Sequence, residues 1–257
     1  MRALYTAATG MNAQQLRIDN ISNNLANVST TGYKKGRGSF EDLLYQQVPT
    51  GSANAMTPRP ADLTVGTGVR MVSVNRDFST GSLQQTSNPT DLALGSRGFF
   101  VVEDPDGTEF FTRDGQFGIN SEGEIVNSAG FRLSPGIQIP EGTERIEVNV
   151  DGTVMAKFEG EIDLVNLGTI RVADFINPAG LRAVGGNLYA PTVSSGQANE
   201  MFAEDGLVVK QSFLEASNVD IAEELVSMIV AQRAYELTSK VVQAADETLQ
   251  VANNLKR

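Results

Sequence analysis

The chain contains no cysteine, no histidine and no tryptophan among its 257 residues. Without cysteine there is no disulfide framework, no zinc–thiolate site and no thiol nucleophile. Without histidine it loses the commonest general base and the commonest metal ligand. Carboxylates, lysines, serines and tyrosines are the only side chains left for chemistry, and no cofactor or metal is expected. No stretch reaches the roughly eighteen consecutive apolar residues of a membrane span. Met1–Gly10 lacks the continuous apolar segment of a secretory leader, because Arg2 is followed by alanines and threonines. Basic residues are scarce as well. The net charge of −11 argues against a nucleic-acid partner, which needs a surplus of Lys and Arg.

What is present is ordinary in amount and unusual in arrangement. Apolar residues make up 40% of the chain, enough for a real core in one large domain or two modest ones. Charge is uneven. Residues 1–40 carry five basic groups (Arg2, Arg17, Lys34, Lys35, Arg37) against Asp19, while residues 212–257 carry four basic and seven acidic groups. At both ends the apolar residues repeat every seven positions. Leu4, Met11, Ile18 and Leu25 keep this phase near the N-terminus, with Ala7, Ile21 and Val28 beside them. The C-terminal series is Leu214, Ile221, Met228, Tyr235, Val242 and Leu249, flanked by Leu225, Ala231, Ala245 and Ala252. Such a seam buries best against another helix and favours left-handed supercoiling. It points to assembly rather than catalysis.

The pattern predicts a helix from Arg2 to about Val28, stopped by Ser29-Thr30-Thr31-Gly32. Asn20, Asn23, Asn24 and Asn27 crowd its last turns, where asparagine is a poor helix former, so these amides are expected to serve backbone groups or a neighbouring chain. Ser39–Tyr45 reads as a short amphipathic stretch. From Gln46 to about Gly68 the chain is rich in Pro, Gly, Ser and Thr, which predicts a linker or an arm ordered against a partner. From Val69 to about Ala190 the period is two. Phe99-Phe100-Val101-Val102 and Glu109-Phe110-Phe111-Thr112 flank Asp104-Pro105-Asp106-Gly107 as a hairpin; Ile146, Val148 and Val150 alternate with Glu147 and Asn149, and Asp151-Gly152 then turns into Val154, Ala156 and Phe158, again on one face. Ser194–Asp205 is a polar stretch. Asp220 with Glu223 then forms a capping-box pattern that opens a helix of about 36 residues, roughly 54 Å long and too long for the β-domain to cover. The expected fold is α+β. Residues 1–33 and 212–257 form a terminal helical domain packed like a coiled coil, 34–75 a connecting segment with an extended arm, and 76–211 a β-domain of short antiparallel strands.

Sites of other kinds are weaker. Asp104-Pro105-Asp106-Gly107 resembles the opening of a calcium loop, but the later ligands do not follow in register. Asp104/Asp106 and Glu223/Glu224 could be imagined as a glycosidase pair, yet the first sits in a turn and the second in a helix's first turn. Gly66-x-Gly68 and Gly95-x-x-Gly98 lack the strand–loop–helix setting of a nucleotide fingerprint. An amphipathic stripe is itself more often core than polymer interface. Here the stripes sit at both termini and outrun the domain between them.

Several segments together resemble the bacterial flagellar rod and hook (axial) proteins. They are Ile21-Ser22-Asn23-Asn24-Leu25-Ala26-Asn27 with Thr31-Gly32-Tyr33-Lys34; Ser217-Asn218-Val219-Asp220 with Ala222-Glu223-Glu224-Leu225; and Gln232-Arg233-Ala234-Tyr235-Glu236. Asp91-Leu92-Ala93, Gly98-Phe99-Phe100, Thr112-Arg113-Asp114-Gly115, Asn187-Leu188-Tyr189 and Ser195-Gly196 are similar to the family's central β-domain. The length and the segment from Phe40-Glu41-Asp42-Leu43-Leu44-Tyr45-Gln46 through Gly66-Thr67-Gly68-Val69 are similar to the distal-rod branch. The resemblance implies a non-enzymatic subunit exported by the flagellar type III apparatus without a cleaved signal and self-assembled into a rigid, periplasm-spanning tube. It implies as partners copies of the same chain, proximal rod and hook proteins, the P-ring and L-ring bushings and the export machinery. The rival readings are another axial subunit, a carboxylate-dependent cell-wall hydrolase and a monomeric adhesin.

Overall fold

A computed structural model describes residues 2–47, 64–160 and 163–254 of the chain. They form an α+β protein with one long helix near each end, α1 (Arg2–Ala26) and α2 (Ile221–Asn254), and short strands between them. Helix α1 stops two residues before the expected Val28. The carbonyl and side chain of Asn27 take the N–H and hydroxyl of Thr30 at 3.2 and 3.3 Å, which turns the chain out of the helix. Helix α2 begins where its cap is. Asp220 Oδ1 accepts the N–H groups of Ala222 and Glu223 at 2.8 and 3.1 Å, and Glu223 and Glu224 lie in the positive first turn. Leu214, expected to begin the helical series, instead lies in the strand Phe213–Glu215, paired with Leu83–Gln85. Lys256 and Arg257, basic residues expected at the far end of this helix with the sign that suits its dipole, lie outside the described residues.

The chain folds into two compact units and passes between them four times. One takes its described residues from Met1–Leu25, Gly36–Asn75 and Asp220–Arg257. Besides the helices it holds the paired strands Gly36–Asp42 and Val69–Arg76, and the antiparallel pair Tyr45–Gln47 and Thr64–Gly66 in register Gln46↔Val65. Strand pairing thus enters both the stretch read as amphipathic and the edges of the stretch read as a loop. Residues 48–63, the body of the expected arm, lie outside the described residues.

The second unit comprises Ala26–Lys35 and Arg76–Val219. Its largest sheet has nine strands and is organised by Phe99–Glu103, which pairs with Glu109–Thr112, Arg132–Leu133 and Val172–Asp174. That strand reads as an uninterrupted apolar run because it is buried on both faces. Phe100 and Val102 join Leu92, Leu133, Ile170 and Val209 in one core; Phe99 and Val101 join Phe111, Phe175 and Tyr189 in another. The second core is set by edge-to-face rings, with Phe111 and Phe175 centroids 4.8 Å apart. Asp104 and Gly107 close the expected hairpin through a 2.8 Å bond. Thr143–Val148, Thr153–Phe158 and Val165–Thr169 form a three-stranded antiparallel sheet with Ile146↔Ala156 and Val148↔Val154 in register. Val150 does not share the inward face expected of it. It sits in the turn that Gly152 closes on Asn149, and it is exposed. The stretch read as merely polar, 194–205, contains the strand Asn199–Met201 paired with Val172–Asp174.

Candidate self-association surface

The terminal helices touch at two points along α1. A Cβ on Gly10 would lie 3.6 Å from Thr238 Cγ2, and Asn24 Nδ2 donates to Glu224 Oε2 at 3.3 Å. Gly10, in the first half of α1, faces the middle of α2, while Asn24, near the end of α1, meets the first turn of α2, so the helices run antiparallel. In both contacts the residue numbers add to 248, which sets Arg2 opposite Asp246 and leaves the last turns of α2 overhanging. The buried apolar positions on this pair are small or few: Ala7, Ala13, Ile21 and Ala231. Leu4, Met11, Ile18, Leu25, Met228 and Val242 are half-buried. Ile221, Leu225, Tyr235 and Leu249 are exposed, so the heptad residues do not form one continuous buried line.

The asparagines at the end of α1 have a local task. Asn24 makes a two-way amide bond with the Gly36 backbone, accepting its N–H and donating to its carbonyl, both at 2.9 Å, and Asn20 donates to the same carbonyl at 2.8 Å. Any side chain at Gly36 would put a Cβ 2.8 Å from Asn20 Oδ1 and 3.1 Å from Val74 Cγ1. The clamp thus fastens the helix end to the first strand of the ribbon, and through Glu224 to the first turn of α2. Asn23 and Ala26 are exposed on the same turns. Arg233 pairs with Glu236 at 3.3 Å on the surface, and Ala234 is half-buried.

The remaining motif residues lace together the second unit. Gly32 has φ +66, and a Cβ there would meet Asp114 N at 2.5 Å, so only glycine fits. Its N–H donates to the Glu215 carbonyl at 2.8 Å. Buried Tyr33 carries the Arg76 guanidinium over its ring. Asn218 ties three segments, accepting the Lys35 N–H at 2.7 Å and donating to the carbonyls of Asp77 and Ser79 at 2.8 and 3.2 Å. Val219 is buried, and Ser217 Oγ accepts its N–H at 3.3 Å.

One group went unread in the sequence. The Glu215 carboxylate accepts bonds from Lys34 Nζ at 2.5 Å, Arg113 Nη1 at 3.2 Å and the Gly81 N–H at 2.8 Å, and all three charged side chains are 0–3% exposed. Lys34 also donates to the Ser79 carbonyl at 2.7 Å. Burial pushes the Lys34 ammonium and the Arg113 guanidinium below their ordinary pKa values, and the pull of Glu215 opposes this in both. Nothing in the spacing of residues 34, 113 and 215 announces the cluster.

Two antiparallel helices with much apolar surface uncovered, and a separate β-rich unit tied off by a buried ion cluster, define a structural subunit built for company. Known proteins agree. Residues 4–34 match a family described as flagella basal body rod protein, residues 93–156 the flagellar hook protein FlgE/F/G D1 domain, and residues 210–255 the flagellar basal body rod FlgEFG protein C-terminal region. The chain is 46% identical to the flagellar basal-body rod protein FlgG of Borreliella burgdorferi, with 100% of this chain and 99% of that one aligned. The proteins of the same name from Caulobacter vibrioides and Bacillus subtilis are 40% and 35% identical, with the full length of both partners aligned. The chain belongs to the flagellar basal-body rod protein family, and is a structural subunit of the basal body. Among the described residues, no helix is long and apolar enough to cross a membrane.

Proposed function

We infer that this chain is the subunit of the distal rod, a helical homopolymer forming a rigid tube in the flagellar basal body, and that it is not an enzyme. The observation that carries the reading is the uncovered apolar surface of α2, on a chain that aligns end to end with curated rod proteins. A helix apolar on most of its circumference is one buried on most sides in its working state. In the polymer, Leu4, Met11, Ile18, Ile21, Leu25, Ile221, Leu225, Met228, Tyr235, Val242 and Leu249 line contacts within and between copies. Helices that are marginal until they meet neighbours suit a chain exported before it assembles. The absence of cysteine suits a periplasmic location. Copies of itself, the proximal rod, the hook and the P- and L-rings are its partners, with the flagellar export machinery acting earlier.

The test is assembly of the purified full chain, followed by sedimentation and electron microscopy. Tubes of uniform diameter are the expected result, and a discrete monomer at every concentration would overturn the reading. The nearest rival is another axial subunit, because two of the matched regions are shared by hook and rod proteins. Deleting 46–63 separates the two: rods of unchanged shape and stiffness would argue against the distal assignment.

A further inference from the structure

Residues 207–218, the stretch before the cap of α2, cross the β-rich unit and bond to chain far away in sequence. Val209–Gln211 pairs with Leu92–Leu94, and Phe213–Glu215 with Leu83–Gln85. Gln211 accepts the Val148 N–H at 3.1 Å and donates to the carbonyls of Pro89 and Ile146 at 2.8 and 2.9 Å. The Glu215 carbonyl and the Asn218 side chain accept the N–H groups of Gly32 and Lys35. Leu207 and Val209 are buried in the core that holds Phe100, Val102 and Val154. The segment's side-chain bonds to the rest of the unit span 63 to 183 residues. Elsewhere in the unit, Phe99–Glu103 with Glu109–Thr112, Thr143–Val148 with Thr153–Phe158, and Arg182–Gly185 with Leu188–Ala190 are paired across short turns.

We propose that residues 207–218 are a closing pin: the β-rich unit stays open until they seat, and the arrival of the Glu215 carboxylate is what lets Lys34 and Arg113 enter its interior. Two physical effects set this order. Closing a loop costs more entropy the longer the loop, so pairings across short turns precede those of the pin. The second effect is charge. Lys34 and Arg113 are 0% and 3% exposed, and both pair with Glu215. Before Glu215 arrives, burying either cation leaves it without that counter-ion, which is costly, so both stay in water. Their neighbours wait with them. The Arg113 guanidinium lies over the ring of Phe99, 5.5 Å from its centroid, and the Lys34 ammonium donates to the Ser79 carbonyl. The pin thus completes one core with Leu207 and Val209, and the core around Phe99 with a charge. The proposal concerns the order of folding and does not depend on the rod reading. Its use within that reading is that the unit cannot close during synthesis, which proceeds from the N-terminus, until most of the chain exists.

Pulsed hydrogen exchange during refolding of the unsubstituted full chain, read by mass spectrometry of its peptides, tests the order. Peptides covering 32–35 and 92–102 should reach native protection in the same phase as 207–218. Native protection of either ahead of 207–218 overturns the proposal. Three full-length variants test the charge. Glu215→Gln should slow that phase several-fold, and Glu215→Asp, which keeps the charge and shortens the reach, should restore part of the rate. Glu200→Gln removes a carboxylate from an exposed pair with Arg171 and should refold as the unsubstituted chain does. Refolding of Glu215→Gln at the unsubstituted rate, or of Glu215→Asp no faster than Glu215→Gln, removes Glu215 from the closing step. Where Glu215→Gln does not refold at all, the exchange pulses on the unsubstituted chain still decide the order. None of these outcomes bears on assembly, so the rod reading stands or falls separately.

Discussion

Glu215 sits between two buried cations, and its neighbours come from chain positions 34 and 113. Removing the charge from such a cluster leaves both cations desolvated without their counter-ion. Glu215→Gln, which keeps the shape, should lower the unfolding free energy by about 3–5 kcal/mol, measured by denaturant titration of unassembled chain. Lys34 makes a separate prediction. Its folded pKa lies below the ordinary 10.5 because burial disfavours the ammonium. Between those two values the unfolded chain binds more protons than the folded chain, so stability rises with pH. The penalty is fully present below the folded pKa. The unfolding free energy of the unsubstituted chain, taken relative to Lys34→Met, should climb as pH goes from neutral toward 10.5; a flat difference would remove Lys34 from this account. Lys34 and Arg113 were visible in the sequence only as members of motifs, and Glu215 not even as that. Asn24 and Gly32 were legible as special, since asparagine in a helix and glycine after threonines each need a local reason. Their contacts with Gly36 and Asp114 were not, because both are made between segments that only folding brings together.

At the scale of elements, the two helices and most turns follow from local chemistry. Asp220 opens α2 because its carboxylate reaches two orphan N–H groups. The Asp104-Pro105-Asp106-Gly107 hairpin closes as its residues dictate. Gly10 stands out in α1, where its missing side chain faces Thr238 at ordinary contact distance. Gly10→Ala therefore meets no clash and removes backbone entropy from the unfolded chain. It should stabilise the helical unit by about 0.5–1 kcal/mol, read as a raised unfolding midpoint. The seven-residue period was also local and legible. Which of its members face α1 was not, because α2 carries apolar residues on most of its circumference and period alone cannot choose among its faces. The strands Gly36–Asp42 and Thr64–Gly66 were missed for a related reason: exposed, glycine-bearing strands lack the alternation that burial imposes.

At the scale of the molecule, the part of α2 beyond residue 246 has no stretch of α1 beside it. Leu249 lies there, 42% exposed. Leu249→Asp should thus leave the unassembled chain as stable as before, yet prevent polymer, because a carboxylate buried between copies without a partner is costly. Denaturant titration and sedimentation of the same preparation check both halves, and normal polymer would remove Leu249 from the contacts between copies. The compact units also cut the chain where periodicity could not. Residues 26–35 and 212–219 belong with the β-rich unit, although they flank the helices in sequence, since Gly32, Lys34, Glu215 and Asn218 bond to its strands and loops.

The sequence by itself determined the classes of chemistry excluded by the missing cysteine and histidine, the two terminal helices with their caps and stops, and the hairpins. It also carried the motifs that mark the family. Each of these depends on residues within a few positions of one another. Only the tertiary structure decided that α1 and α2 run antiparallel with an overhang, that Glu215 gathers Lys34 and Arg113, and that α2 turns one apolar face inward and leaves another open. Those outcomes depend on pairings across 102 residues or more, where many partners satisfy the same local pattern and close packing selects among them.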